Sequence, residues 1–128
     1  MYLDANLASF LNSRGGTLLI GVNDQAQVVG LEGDYATLGK RPDRDGYQQF
    51  LVQLISNSLG KNVCADLSIT FAPVQAKEIC VVRASTSALP VYLEEQGQSK
   101  LFVRVGNTSR ELTGRQAVEY VQSHWPKR

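Results

Sequence analysis

Ala8-Ser9-Phe10-Leu11-Asn12-Ser13-Arg14-Gly15-Gly16-Thr17-Leu18-Leu19-Ile20-Gly21-Val22-Asn23-Asp24 is the stretch in which the chain changes its apolar period. Upstream and within it, Leu3, Leu7, Phe10 and Leu11 recur at helical spacing, with Ala8 beside them. That stripe predicts a helix from about Tyr2 to Ser13. Gly15-Gly16 ends it, because glycine takes the left-handed conformation that closes a helix. Thr17 to Val22 then reads as a strand buried on both faces. Asn23-Asp24 reads as a turn, and Gln27-Val28-Val29-Gly30-Leu31 as the returning hairpin strand.

Working outward, Glu32 to Asp45 is polar and rich in turn residues, and it holds the basic trio Lys40, Arg41 and Arg44. It is expected to be an exposed loop with at most one helical turn. Asp45 is placed as an N-cap, with Gln48 completing a capping box. Tyr47, Phe50, Leu51, Leu54, Ile55 and Leu59 follow at helical spacing, and Gly60 stops that helix. Leu67 to Phe71 alternates as a half-buried strand does and is expected to pair with Glu78 to Ala84. Val91-Tyr92-Leu93 and Lys100 to Val105 read as two further strands joined through Gln96-Gly97-Gln98. Thr113 and Gln116 suggest a second capping box, ahead of a last helix with Ala117, Val118, Val121 and Trp125 on its apolar face. The order implies one α+β domain over residues 1–128: a mixed, mostly antiparallel sheet with about three helices. Leu18, Ile20, Phe50, Leu54, Val81 and Val103 are its expected core positions.

The 128 residues suit a single core, and 43% hydrophobic residues suffice to fill it. Thirteen basic against 12 acidic residues leave a net charge of +1. Binding to a polyanion would therefore need a local cluster or an assembly that concentrates charge. Cys64 and Cys80 are far apart, and the lone His124 cannot complete a zinc site with them. No disulfide framework is evident, which fits a reducing cytoplasm. No apolar run reaches the ~20 residues of a membrane span, and the first residues lack the pattern of a secretion signal.

Two segments carry a family resemblance. One is the opening stretch, continuing to Val28-Val29-Gly30-Leu31. The other is Leu101-Phe102-Val103-Arg104-Val105-Gly106-Asn107-Thr108-Ser109-Arg110. Together with Leu89-Pro90-Val91-Tyr92, their order and spacing resemble the Alba-like domain of the Schlafen superfamily, formerly described as a divergent AAA domain. The resemblance spans nearly the whole chain. It implies nucleic-acid binding, DNA or RNA, in some members as part of a transcriptional regulator. In family members with endoribonuclease activity, two acidic residues ahead of the first helix join a third at the position of Asp24. This chain begins inside that helix, so it reads as a truncated or reduced member in which Asp24 alone remains. Asp24 is thus a catalytic candidate only alongside an upstream acidic pair, and Mg²⁺ or Mn²⁺ is expected only in that case. Otherwise no cofactor is expected.

Among side chains, Arg104 and Arg110, with Asn107 and Thr108 between them, offer guanidinium forks and polar groups suited to phosphate. Phe102, on the same strand face as Arg104, could stack a base. Arg14 and Lys40 are outlying contacts. Asn12 to Gly16 could cradle a phosphate, but a helix leads into this loop, so the adjacent helix end carries negative partial charge. No Gly-x-x-x-x-Gly-Lys-Ser/Thr pattern is present. A helix cap is the simpler reading. His124 reads as a helix-end residue near Trp125. Nucleic-acid binding is accordingly the first expectation. A homo-oligomerisation or interaction module is the alternative, with remnants of a metal-dependent endoribonuclease or an ATP-binding domain behind it. Homo-oligomerisation is expected in any case, because an open sheet edge invites pairing.

Overall fold

The computed structural model describes residues 2–39 and 41–126. Its elements run α1 (Tyr2–Leu11), β1 (Gly16–Ile20), α2 (Glu32–Ala36), α3 (Arg44–Leu59), a 3₁₀ segment (Lys61–Asp66), β2 (Leu67–Val74), β3 (Lys77–Ala84), β4 (Leu93–Glu95), β5 (Gln98–Val105), β6 (Thr108–Leu112) and α4 (Gly114–His124). The class is α+β, as expected. In place of one mixed sheet there are two three-stranded sheets, ordered β1-β3-β2 and β4-β5-β6, and every described strand pair is antiparallel.

The core lies between the first sheet and helices α1 and α3. Leu7, Ala8, Phe10 and Leu11 from α1 meet Tyr47, Leu51, Ile55 and Leu59 from α3 over Cys80, Val82 and Ala84 of β3. The α3 residues recur every four positions, so they form one stripe along the helix. Full burial of each such aliphatic side chain is worth about 1.5–3 kcal/mol. Val81 and Val103 are buried as expected. Phe50 is 48% exposed and Leu54 half-buried, which corrects the expected helix phase. Two overlapping apolar stripes exist on α3, and the one centred on Leu51 and Ile55 faces the sheet.

β1 is shorter than expected and is not buried on both faces. Leu18 and Ile20 turn half-buried toward the core, while Leu19 is 48% exposed. Nor is Gln27–Leu31 its hairpin partner. Gly21 adopts φ +104°, which breaks the strand, and its carbonyl accepts from Val29 and Gly30 N–H at 2.7 and 3.0 Å. One bridge, Val22 to Val28, is all the ladder that forms there. β1 pairs with β3 instead, from Gly16↔Ala84 to Ile20↔Cys80.

Three further local readings change. The N-cap of α3 is Asp43, whose carboxylate accepts from Gly46 N–H at 2.8 Å; Asp45 already lies inside the helix and pairs with Arg41. The strand expected at Val91–Leu93 starts at Leu93, because the Val91 backbone is engaged by the Asn12 side chain. Thr113 sits at the N-cap of α4 without a side-chain hydrogen bond, so no capping box forms. Among the described residues no helix is long and apolar enough to cross a membrane.

Candidate functional site

The end of α1 organises the site. Asn12 is completely buried. Its amide donates to the carbonyls of Val91 and Phe102 at 2.8 and 2.9 Å, and its oxygen accepts from Val91 N–H at 2.8 Å. Its own backbone carbonyl accepts from the Tyr120 hydroxyl of α4. One side chain thus ties α1 to β5 and to the segment before β4. Gly15 follows at φ +79°, and its N–H is used within the chain by the Phe10 carbonyl at 2.9 Å. A Cβ on Gly15 would lie 2.5 Å from the Ala84 carbonyl oxygen, and one on Gly16 would lie 2.6 Å from the Phe10 ring. The glycines therefore serve helix termination and close approach, not a phosphate cradle.

Residues 13–15, β5 and α4 enclose a cleft of about 460 Å³ lined by Ser13, Arg14, Gly15, Arg104, Gly106, Tyr120 and His124. Arg104 is held in place on three sides. Its backbone N–H donates to Ser13 Oγ at 2.9 Å, its guanidinium donates to Asn6 Oδ1 at 3.3 Å, and the same group lies over the Phe10 ring at 5.0 Å. Cation–π contact and hydrogen bonding fix its direction without neutralising it. Arg14 is exposed at the cleft rim. Neither arginine forms an ion pair among the described residues. The opposite wall is aromatic: His124 stacks on Tyr120 at 5.1 Å and meets Trp125 edge-on at 4.4 Å, while Trp125 Nε1 donates to the Ser87 carbonyl at 3.0 Å. His124, read from the sequence as a simple helix-end residue, is thereby brought into the cleft. Nothing local signals this, since its neighbours at the site come from the far end of the chain.

The other candidates are distributed differently. Arg110 lies on β6 opposite Val103, whereas Arg104 lies opposite Ser109. Directly paired residues share a face and successive residues alternate, so Arg104 and Arg110 project from opposite faces of the sheet. The expected cluster of the two is therefore divided. Ser109 instead joins the Arg104 side, donating to Asn6 Oδ1 at 2.7 Å and lying 2.8 Å from Ser9 Oγ. Asn107 in the β5–β6 turn and Thr108 at the start of β6 are exposed, and the Thr108 hydroxyl donates to the Val105 carbonyl at 3.0 Å. Phe102 is half-buried and packs against the core. Lys40 lies outside the described residues. Its neighbours Arg41 and Arg44 are engaged by Asp45 and Glu78, and Arg44 also lies 5.6 Å from the centre of the Phe71 ring. The Arg44 guanidinium and the Tyr35 hydroxyl together hold the Glu78 carboxyl below the usual carboxylate range.

Asp24 is exposed in a turn ordered by its neighbour. Asn23 Oδ1 accepts from Gln25 and Gln27 N–H at 3.0 and 2.9 Å. Asp34 sits in α2, Asp43 caps α3 and Asp45 pairs with Arg41. Among the described residues no three His, Cys, Asp or Glu side chains gather as a metal site would require. A larger cleft, about 680 Å³, lies between residues 59–66 and 87–94. Its apolar wall of Leu89, Pro90 and Val91, with Lys61 outnumbered by the carboxylates of Asp66 and Glu94, suits an anion poorly.

Comparison with known proteins agrees with this architecture. The crystal structure of the DIP2311 protein from Corynebacterium diphtheriae superposes with a TM-score of 0.63 at 20% identity, covering 95% of this chain and 21% of that one. The chain thus spans about a fifth of that protein's length, and at this identity the likeness concerns the fold. No curated protein matches the chain. The family model described as "Schlafen, AlbA_2" matches residues 3–113, from α1 through β6. The match covers most of the chain, and this chain is a member of the Schlafen AlbA_2 family.

Proposed function

We propose that this domain binds nucleic acid by its phosphate backbone, with the cleft between residues 13–15, β5 and α4 as the principal contact. The observation that carries the reading is the pair Arg14 and Arg104 in one open cleft, with Arg104 pre-aimed by Asn6 and Phe10 and free of carboxylates. Pre-organised guanidinium groups suit phosphate, because little side-chain freedom is lost on binding. His124, Asn107 and Thr108 are neighbouring polar contacts, and Arg110 reaches phosphate only if the strand wraps the sheet edge. Such contacts position a strand and do not read its bases, so DNA and RNA are both substrates for binding. The family membership supports the same class of ligand and a role within a larger regulatory protein. The free thiols of Cys64 and Cys80 accord with the reducing cytoplasm.

We assign no catalysis to the chain itself. Metal-dependent hydrolysis needs several carboxylates on one ion, and of the acidic residues that follow Asp24, Asp43 caps α3 and Asp45 pairs with Arg41. No Mg²⁺, Mn²⁺ or nucleotide is required for the proposed contact.

The test is fluorescence anisotropy with single-stranded and duplex oligonucleotides across a salt series. Replacing Arg14 and Arg104 together with glutamine removes two phosphate contacts, so the slope of log affinity against log salt should fall by about 1.5. Arg110→Gln should change it by much less. A folded double variant that binds as tightly as the parent, with the same slope, would show the cleft to be misassigned.

A further inference from the structure

Both helices that reach the cleft do so with their C-terminal ends. α1 stops at Leu11, and Ser13, Arg14 and Gly15 just beyond it line one wall; α4 stops at His124, which lines another. A helix C-terminus carries roughly half a negative charge. Two such ends offset about half the charge of Arg14 and Arg104, which leaves the cleft about +1 toward an anion. No Asp or Glu is among its lining residues. His124 is the lining group that changes this balance. It is the one histidine of the chain, and histidine is the side chain whose charge ordinarily changes between about pH 5 and 8.

The groups around the half-buried imidazole act in opposite directions. On α4, the negative helix end and the Tyr120 ring stacked at 5.1 Å favour a positive ring, while Trp125, edge-on at 4.4 Å, carries no charge. The Tyr120 hydroxyl is donated to the Asn12 carbonyl. From the 13–15 loop and β5, Arg14 and Arg104 oppose a third positive charge. A phosphate entering between the arginines removes that opposition and offers oxygens to an imidazole N–H.

On the reading that this cleft holds the phosphate backbone, we propose that His124 is its proton-dependent third cation. The imidazole takes up one proton from solvent as the phosphate enters and donates an N–H to a phosphate oxygen; no other atom is transferred. A protonated His124 about doubles the net positive charge of the cleft. Proton and nucleic acid therefore bind cooperatively, and affinity rises as pH falls.

The test is anisotropy with an oligothymidylate of about 20 nucleotides, whose bases do not titrate near neutrality, across a salt series at about pH 6 and about pH 8. The parent should bind about three- to tenfold more tightly at the lower pH. Its slope of log affinity against log salt should be steeper there by about 0.7, the value of one added contact to a single strand. His124→Gln should lose both changes, and His124→Arg should keep the steep slope at either pH. Calorimetry on the parent in two buffers of different ionisation enthalpy needs no variant, and should show net proton uptake on binding near neutrality. A parent whose slope depends on Arg14 and Arg104 but not on pH, with no proton uptake, overturns this proposal and leaves the phosphate reading standing. So does a pH dependence that persists in His124→Gln, since the proton then goes elsewhere. A parent with no salt-sensitive binding at either pH overturns both.

Discussion

Replacing Asn12 with alanine should cost more stability than any substitution at the surface of the site. The side chain makes three hydrogen bonds, all at 2.8–2.9 Å, from a position with no solvent exposure. Alanine leaves Val91 N–H, Val91 C=O and Phe102 C=O without that partner. A stranded buried donor or acceptor costs about 1–3 kcal/mol, less for a carbonyl that keeps a second contact, so the sum is about 3–5 kcal/mol. Against a domain stability of about 5–15 kcal/mol that is a large fraction, and it corresponds to a fall in Tm of roughly 10–20 °C. Asn12→Asp should fare no better at neutral pH. It keeps the acceptor for Val91 N–H but aims a carboxylate oxygen at two carbonyls, so its deficit should shrink in acid as the carboxyl gains a proton to donate. Thr86→Val is the control, because the exposed Thr86 hydroxyl donates to the Ser13 carbonyl of the same loop at 3.0 Å. Urea unfolding of the three variants, analysed as two-state transitions, gives the comparison. Were Asn12→Ala to lose less than about 1 kcal/mol, no more than the control, the side chain would not be the tie described above.

Two other substitutions test different parts of the structure. Gly15→Ala and Gly39→Ala both place a side chain at positive φ, +79° and +68°, but only the first meets a neighbour, the Ala84 carbonyl. Chemical denaturation should show a loss of about 1–2 kcal/mol for Gly39→Ala and clearly more for Gly15→Ala; equal losses would mean that the backbone approach at Gly15 is looser than described. Asp4 is 5% exposed, and while Ser58 donates to one carboxylate oxygen at 3.0 Å, the other has no hydrogen-bond partner among the described residues. Burial is the main cause that raises its pKa above the ordinary carboxylate value; the Ser58 hydrogen bond opposes it, and nearby Glu95 adds to it. A raised folded-state pKa means that stability is fully present below the unfolded value and is lost as pH rises through the folded value. Asp4→Asn should therefore be more stable than the parent at neutral pH, with the advantage fading toward pH 4; an advantage that grew in acid would reverse the assignment.

Much of the fold was legible because its punctuation is local. The α1 stripe, the Gly15–Gly16 stop, the α3 terminator Gly60 and the β2–β3 hairpin all follow from residues a few positions apart. What escaped was set by distant partners. Gln27–Leu31 was the nearest strand for β1, yet the β3 ladder from Gly16↔Ala84 to Ile20↔Cys80 took its place. β6 has the polar sequence Thr-Ser-Arg-Glu-Leu and gives no hydrophobic signal, since its pairing with β5 is made by backbone groups at a half-exposed edge. That missed strand also explains the divided arginine pair: Arg110 lies beyond the strand expected at Lys100 to Val105, and only the β5–β6 pairing fixes which way it points. Arg14 and Arg104 were both visible as basic residues, but their shared cleft depends on α1 meeting β5, and the aromatic wall depends on α4.

The matched family residues end at Thr113, just before α4 begins, and no residue of α4 is fully buried. Its described hydrogen bonds to the rest of the domain are made by Tyr120 and, one residue past its end, Trp125. A helix held this way undocks at a free energy well below that of global unfolding. One wall of the cleft therefore rests on a unit less stable than the core of the domain, and a strand bound there would face a hinged wall rather than a fixed one. Release of a long polyanion could then begin by fraying of this helix, before any arginine contact breaks. The residence time of the complex would follow the docking equilibrium of α4, and sequence changes in α4 that never touch the ligand would tune it.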